Sequence, residues 1–435
     1  MSKRPLFSTR LGAVLAMIGV SVGLGNVWRF PYMMGQYGGS AFLFVYLFFT
    51  LIFAIPALMG ELALGRETRK GPMGTFTQIL GKGPGRLIGF LLLLTVLVAD
   101  SYYLVVIGNV AYTAFFSIAN GFGPETNTAY AGGLANNELQ LLITIGILAI
   151  SLYIIRLGVN KGIERSSRFI VPFFLVVIVY MIVNTLSIPG AGERFWTFLN
   201  PDWSELNIDV IFAGLGQAFF SLGLGGTFLL VYGSYMKKEQ NIPKVAVATG
   251  LGDMGAALLV SLFLVPAMLV FGLNMSSGPT LLFSTLPELF GQMPLGRLSG
   301  SLFLVALTGM AFLSNIAALE VFTNALSEPT GLNLGRKQVI WILGVIELLL
   351  IMPIALNPEL IGTLDLIFGS GMQTLGSVLC LIALAWFVKK KTALGQIFGQ
   401  KAEGQAPAMY FVLIKWLIPA ILIVILISYI YTNVF

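Results

Sequence analysis

Eleven long apolar runs divide this chain, roughly 10–34, 40–65, 87–117, 139–156, 165–188, 208–235, 243–273, 297–326, 338–356, 361–388 and 408–432. A helix needs about 20 apolar residues to cross the hydrocarbon of a bilayer. Membrane barrels show short alternating segments instead. These runs are continuous, and a helix satisfies its own backbone where no water can. The chain therefore reads as an all-α membrane protein with eleven transmembrane helices, one transmembrane domain over 1–435. Only 10% of its residues are charged and 57% are hydrophobic, against about 25% and 45–50% in soluble chains. Lipid, not water, must cover most of its surface.

The few charges carry the orientation. With the N-terminus inside, 21 of the 25 basic residues fall in inner segments, among them Lys3, Arg10, Arg69, Lys161, Arg168, Lys237, Arg336 and Lys390. Outer segments keep Arg194 and Arg297, while Arg29 and Lys415 lie within spans. Lys and Arg concentrate on the cytoplasmic side of membrane proteins, so the net charge of +6 is a topology signal and not a nucleic-acid footprint. The basic start MSKRPLFSTR leads straight into the first run without an A-x-A-like cleavage site, and reads as a retained first span. The expected location is the cytoplasmic (inner) membrane.

Whole classes of chemistry are excluded. Histidine is absent, so imidazole metal sites and His-based catalysis are not available. Cys380 is the single cysteine, so no intrachain disulfide is possible. No Walker A sequence is present, so ATP does not drive the protein. The chain lacks the nucleophile, base or metal cluster of an enzyme. An ion channel would need a continuous polar pore; a transport-inactive sensor of the same architecture would be separated from a carrier by a flux measurement.

Two runs are interrupted by glycine clusters, Gly19-Val-Ser-Val-Gly23-Leu-Gly25-Asn26 and Ser221-Leu-Gly223-Leu-Gly225-Gly226-Thr227. They fall in the first and sixth runs. If runs 1–5 and 6–10 form two halves, about 10–188 and 208–388, these are corresponding positions, with 408–432 as an extra helix. Five spans per half is odd, so the halves are inverted. Paired interruptions of this kind point to a binding site at the bilayer midplane. Unwound backbone offers N–H groups to an anion and carbonyls to a cation. Small residues also serve plain helix packing, but two clusters at matching positions favour the site.

The stretch Gly23-Leu-Gly25-Asn26-Val-Trp28-Arg29-Phe30-Pro31, followed by Gly38-Gly39-Ser40-Ala41-Phe42, resembles the neurotransmitter:sodium symporters, whose bacterial members have the LeuT-type fold. Further matches include Glu61 with Gly65-Arg66, Tyr102-Tyr103, Lys161-Gly-Ile-Glu-Arg165, Gln217-Ala-Phe-Phe-Ser-Leu222 and Ser314. The resemblance implies a 5+5 inverted repeat with broken helices 1 and 6, and sodium-coupled uptake of an amino acid or related amine. It implies no organic cofactor; sodium is the coupling ion.

Residue by residue, the resemblance implies that the substrate carboxylate meets backbone N–H groups near Leu24 and Gly25 and the hydroxyl of Tyr103. Ala99, Phe220, Gly223, Gly226, Ser314 and Ala318 would line the side-chain space. Glycine at 23, where monoamine carriers hold an aspartate, implies a substrate with its own carboxylate. The small walls suit a medium to bulky apolar or aromatic amino acid unless neighbouring side chains refill the space.

A first sodium would be held by Ser21, Asn26, Ser221 and Asp253. Hard cations prefer such oxygen ligands, and an aspartate within a span is by default functional. Asp253 with Ala257 replaces the Asn and Ser of chloride-dependent relatives, so chloride independence is expected. Tyr46 and Gln217 then read as a polar network around Asp253. A second sodium would use Gly19, Val22, Met310 and Ser314, but Leu313 stands where a hydroxyl ligand is expected and Thr308 is a few residues away. The gates are read as Arg29 with Asp365 outside and Arg4 with Glu328 inside. Glu61, Glu320 and Glu347 are expected to pair internally. Asp100 matches no usual family residue; it could tune the substrate amine, carry a proton or hydrogen-bond to a neighbouring helix.

Overall fold

The computed structural model describes residues 6–200, 202–275, 278, 281–328 and 334–434, and among them the regular structure is helical throughout. Helices begin where the apolar runs meet polar residues. Asn136, Asn207 and Asn241 each accept a first-turn N–H at the start of Asn137–Gly158, Ile208–Ser221 and Ile242–Phe271. Such side chains satisfy donors that the helix itself cannot.

Among the described residues, eight helices are long and apolar enough to cross a membrane, or nine if one bent pair is counted as a span. That pair, Arg10–Ser21 and Gly25–Gln36, is bent by 57°. The helical stretch Asn137–Leu186 covers 50 residues, which at 1.5 Å per residue is about 75 Å, more than twice a hydrocarbon core of about 30 Å. Gly158 turns it with a left-handed φ of +82°.

The second interruption follows Ile208–Ser221. Helix resumes only at Phe228–Ser234. Between them Gly223 and Gly226 take φ of +65° and +69°, a backbone region that side chains with a Cβ rarely enter. Phe228–Ser234 then lies directly against Ile55–Thr68. The backbones come so close that a Cβ on Gly65 would fall 1.9 Å from the Leu230 carbonyl oxygen. In lipid, where helices gain nothing from hiding from water, such close van der Waals contact holds them together. Glu61, on the same helix, accepts the N–H groups of Gly225 and Gly226 at 3.0 and 3.1 Å. It therefore ties down the backbone that the break releases.

A second layer surrounds these elements. Pro84–Ala119 packs along Gly296–Ser327, and Ile242–Phe271 packs on Arg165–Leu186. The end of the bundle that carries Arg168, Lys237 and Arg336 is sealed. Phe7 is fully buried edge-on against Tyr232 and Tyr235. The Tyr235 hydroxyl donates to Glu320 at 2.7 Å, and Glu320 pairs with Arg336 at 2.6 Å.

Candidate functional site

At the level of both interruptions the helices part around a cavity of about 450 Å³. Its floor is made by Val20, Ser21, Leu24 and Ser314, and its mouth reaches the exposed residues Pro358 and Gly362 at the end opposite the basic residues. Gly25, Ala99, Tyr103, Phe220, Gly223 and Ala318 all line it, as read from the sequence. The Tyr103 hydroxyl lies against the Leu24 backbone and the Ser314 hydroxyl, on the unwound stretch. At Gly223 an added Cβ would meet nothing closer than Val20 at 3.9 Å, so this glycine leaves real volume.

Gly226 does not line the cavity. Its left-handed turn sends the N–H to Glu61 and its Cα toward the neighbouring helix, where a Cβ would stand 2.8 Å from the Gly376 carbonyl oxygen. It shapes the break and not the wall.

Beneath the cavity, three polar side chains from three separate elements converge. Asn26 donates from its amide nitrogen to Asp253 Oδ1 at 2.9 Å and to Ser221 Oγ at 3.1 Å. Ser221 Oγ donates to Asp253 Oδ2 at 2.7 Å. Asn26 Oδ1 accepts the Gly23 N–H at 3.0 Å, which ties the cluster to the first interruption. Ser21, the fourth residue read from the sequence, donates to the Leu222 carbonyl at 3.2 Å and so links the two interruptions. Asp253 is fully buried, with no Lys or Arg partner among the described residues. Oxygen-rich and acidic, the cluster suits a hard monovalent cation. The Tyr46 hydroxyl reaches the edge of the cluster, near Ser221 and Asp253, while both Gln217 amide atoms are buried without a hydrogen-bond partner among the described residues.

A model of the sodium:neurotransmitter symporter family matches residues 4–131 and 132–434. The chain belongs to this family. The chain is 28% identical to an uncharacterized sodium-dependent transporter of Bacillus subtilis, covering 97% of each chain. It is 29% identical to an uncharacterized sodium-dependent transporter of Haemophilus influenzae, covering 98% of each. Among solved structures, the crystal structure of MhsT in complex with L-phenylalanine superposes with a TM-score of 0.88 at 30% identity, over 98% of this chain and 100% of that one. The chain is thus a sodium-dependent symporter with the LeuT-type fold, in a family of transporters and not of enzymes.

The residues read from the sequence as a second cation site offer few side-chain oxygens. Ser314 Oγ donates to the Val20 carbonyl at 3.0 Å and reaches the Gly19 carbonyl at 3.5 Å. Val22 and Met310 are buried nearby in sequence. Leu313, however, packs its methyl group against Gly19, 2.7 Å from where a Cβ would stand. Thr308 does not replace the missing hydroxyl, because it donates back to Leu304 within its own helix at 2.7 Å.

The outer charge pair is not joined here. Asp365 accepts the Tyr102 hydroxyl at 2.8 Å, while the Arg29 guanidinium lies 4.0 Å above the Phe220 ring. Asp365 stands in the wall of the open cavity, so its partner at this opening is the neighbouring tyrosine. Of the inner pair, Glu328 accepts the Gly71 N–H at 2.7 Å, and Arg4 lies outside the described residues. Of the other acids, Glu320 and Glu61 pair as expected. Glu347 does not: both its carboxyl oxygens are buried without a hydrogen-bond partner among the described residues.

Proposed function

We propose that this symporter imports an apolar or aromatic amino acid of medium to large size across the cytoplasmic membrane, driven by sodium and without chloride. The observation that carries the reading is the Asn26–Ser221–Asp253 cluster directly below a cavity walled by Ala99, Gly223 and Ala318. The substrate carboxylate sits at Leu24, Gly25 and Tyr103, where the unwound backbone presents N–H groups and the positive end of a half-helix. The small walls leave room for a ring, and a 30% identical structural neighbour holds L-phenylalanine. Sodium sits among Asp253, Ser221, Asn26 and the Ser21 carbonyl; a half-turn of the Asn26 amide brings its oxygen to the ion. The Asp253 carboxylate supplies the fixed negative charge that a bound chloride would otherwise bring.

Counting the bent pair, two crossings in Asn137–Leu186 and the interrupted stretch 208–234 gives eleven spans with the N-terminus inside, in two inverted halves. The cavity then opens outward and the Phe7–Tyr232–Tyr235 seal lies at the cytoplasmic face. Closure brings Asp365 toward Arg29 over Phe220 and Tyr103. Opening inside breaks the seal and its Glu320–Arg336 support.

Proteoliposomes with an imposed inward sodium gradient test this. Labelled L-phenylalanine, L-tyrosine, L-tryptophan and L-leucine are offered in chloride and in gluconate. Uptake is expected to collapse when potassium replaces sodium and to be equal in the two anions. No sodium-stimulated uptake of any of the four would overturn the substrate assignment, and dependence on chloride would overturn the role given to Asp253. In the same assay Tyr103→Phe is expected to raise KM about 10- to 100-fold, since a hydrogen bond to a charged group contributes about 1.5–3 kcal/mol. The sodium dependence of the variant should match wild type.

A further inference from the structure

Asp100 lies in the cavity wall, one turn before Tyr103, yet most of its side chain is directed into the scaffold. Asn315 Nδ2 donates to both of its oxygens, at 2.9 and 3.0 Å. Asn315 Oδ1 in turn accepts the hydroxyl of Ser151, from a third helix. Glu347, fully buried on Arg336–Leu356, a helix packed directly against Pro84–Ala119, lies within electrostatic reach of Asp100. Neither Glu347 oxygen has a hydrogen-bond partner among the described residues.

The charged and titratable groups around the pair are few. Tyr103 faces Asp100 from its own helix. The adjoining helices contribute the neutral Asn315 and Ser151, and Glu347. Arg336 begins the Glu347 helix, but eleven residues, about 16 Å, separate them, and it is engaged by Glu320. Asp365 is bonded to Tyr102. Two buried carboxylates within electrostatic reach of each other and without a cation cannot both stay ionised out of water. Glu347, without a donor, is the one that holds a proton. Asp100, accepting twice from one amide, has the hydrogen-bond pattern of the ionised form, with the cavity as its only route to water.

We propose that Asp100 and Glu347 form a proton site coupled to transport, in which Asp100 takes one proton from the cavity each time the cavity closes over substrate. Closure removes the water that stabilises the Asp100 carboxylate. A hydronium ion in the cavity then transfers a proton to a carboxylate oxygen, leaving water and the neutral acid. When the cavity opens to the cytoplasm, water returns and the proton leaves, so one proton enters with sodium and substrate. A sodium ion is disfavoured at this place, because Asn315 points its donor at Asp100 and the apolar surroundings of Glu347 offer too few oxygens for a hard cation.

The inference rests on the carrier reading above and is tested separately from it. Proteoliposomes enclosing a pH-sensitive dye receive sodium and a mixture of L-phenylalanine, L-tyrosine, L-tryptophan and L-leucine. Wild type is expected to acidify the interior with substrate. One coupled proton also raises steady-state accumulation about tenfold for each unit of acid-outside pH gradient. Asp100→Asn is expected to abolish the acidification and the response to the gradient, whereas Glu347→Gln, the uncharged equivalent of a protonated Glu347, is expected to keep both. Sodium-driven uptake in wild type without proton movement overturns the proposal alone, and needs no variant to fold. Acidification that survives in Asp100→Asn, or that is lost in Glu347→Gln while sodium-driven uptake persists, also overturns it. So does a loss of bound sodium-22 in Asp100→Asn alongside a proton-silent wild type, which would make the pair a cation site. Absence of any sodium-driven uptake would overturn the carrier reading and this proposal with it.

Discussion

Asp253→Ala is expected to remove sodium-stimulated uptake while the protein still reaches the membrane. Asp253 is the only acid in its cluster, and it accepts from Asn26 at 2.9 Å and from Ser221 at 2.7 Å. Hydrogen bonds to a charged group contribute about 1.5–3 kcal/mol each, so loss of this anchor should weaken sodium binding by about 100-fold or more. Titration of uptake against sodium, with binding of sodium-22 to purified protein as a second readout, measures it. Asp253→Asn keeps one oxygen in place but loses the charge, and should fall between alanine and wild type. The double variant Asp253→Asn with Ala257→Ser goes further. It places a neutral amide and a hydroxyl one turn apart beside Tyr46 and Gln217, whose polar atoms are buried without hydrogen-bond partners among the described residues. Chloride should then restore uptake that gluconate does not. Wild-type sodium affinity in Asp253→Ala would remove the residue from the sodium site.

Much of this arrangement is legible in the sequence because lipid makes polar residues expensive. In a chain with 10% charged residues, an aspartate in mid-span needs partners, and the glycine clusters that flank Asn26 and Ser221 say where to find them. The left-handed turn at Gly223 is legible for a similar reason, since only glycine enters that backbone region cheaply. What the sequence hides is direction. Gly223 and Gly226 look equivalent, but one faces the cavity and the other faces Gly376 and Glu61, and the unwound backbone of 222–227 gives no period from which to tell them apart. Long-range partners are hidden as well. Nothing local marks Asn315 as the donor to Asp100, 215 residues away. Nor does a single sequence state which access state is drawn: Arg29 and Asp365 carry opposite charge at matching depth, and only the open cavity explains why Asp365 meets Tyr102 instead.

Glu61 should be as sensitive as Asp253, for a different reason. It does not itself line the cavity; its Oε1 accepts the N–H groups of Gly225, which does, and of Gly226, the donors freed where the helix breaks. In Glu61→Ala both would be left unpaired in a buried site, at about 1–3 kcal/mol each, with no water in the bilayer core to take over. The backbone can pair these groups again by rewinding through Gly225 and Gly226, which would close the cavity from below and displace Ser221 from Asp253. Uptake in Glu61→Ala is accordingly expected to fall to about 3% of wild type or lower, as the combined cost of about 2–6 kcal/mol requires, together with a loss of monodispersity in detergent. Glu61→Gln separates the backbone role from any role of charge. Glutamine keeps a carbonyl oxygen at the position of Oε1, so it can accept both N–H groups and should retain uptake within about tenfold of wild type. If the two variants fail alike, the carboxylate acts through its charge or its proton and not as an acceptor for the broken helix. If alanine is tolerated, the break is held by the close backbone contact at Gly65 and Leu230 alone.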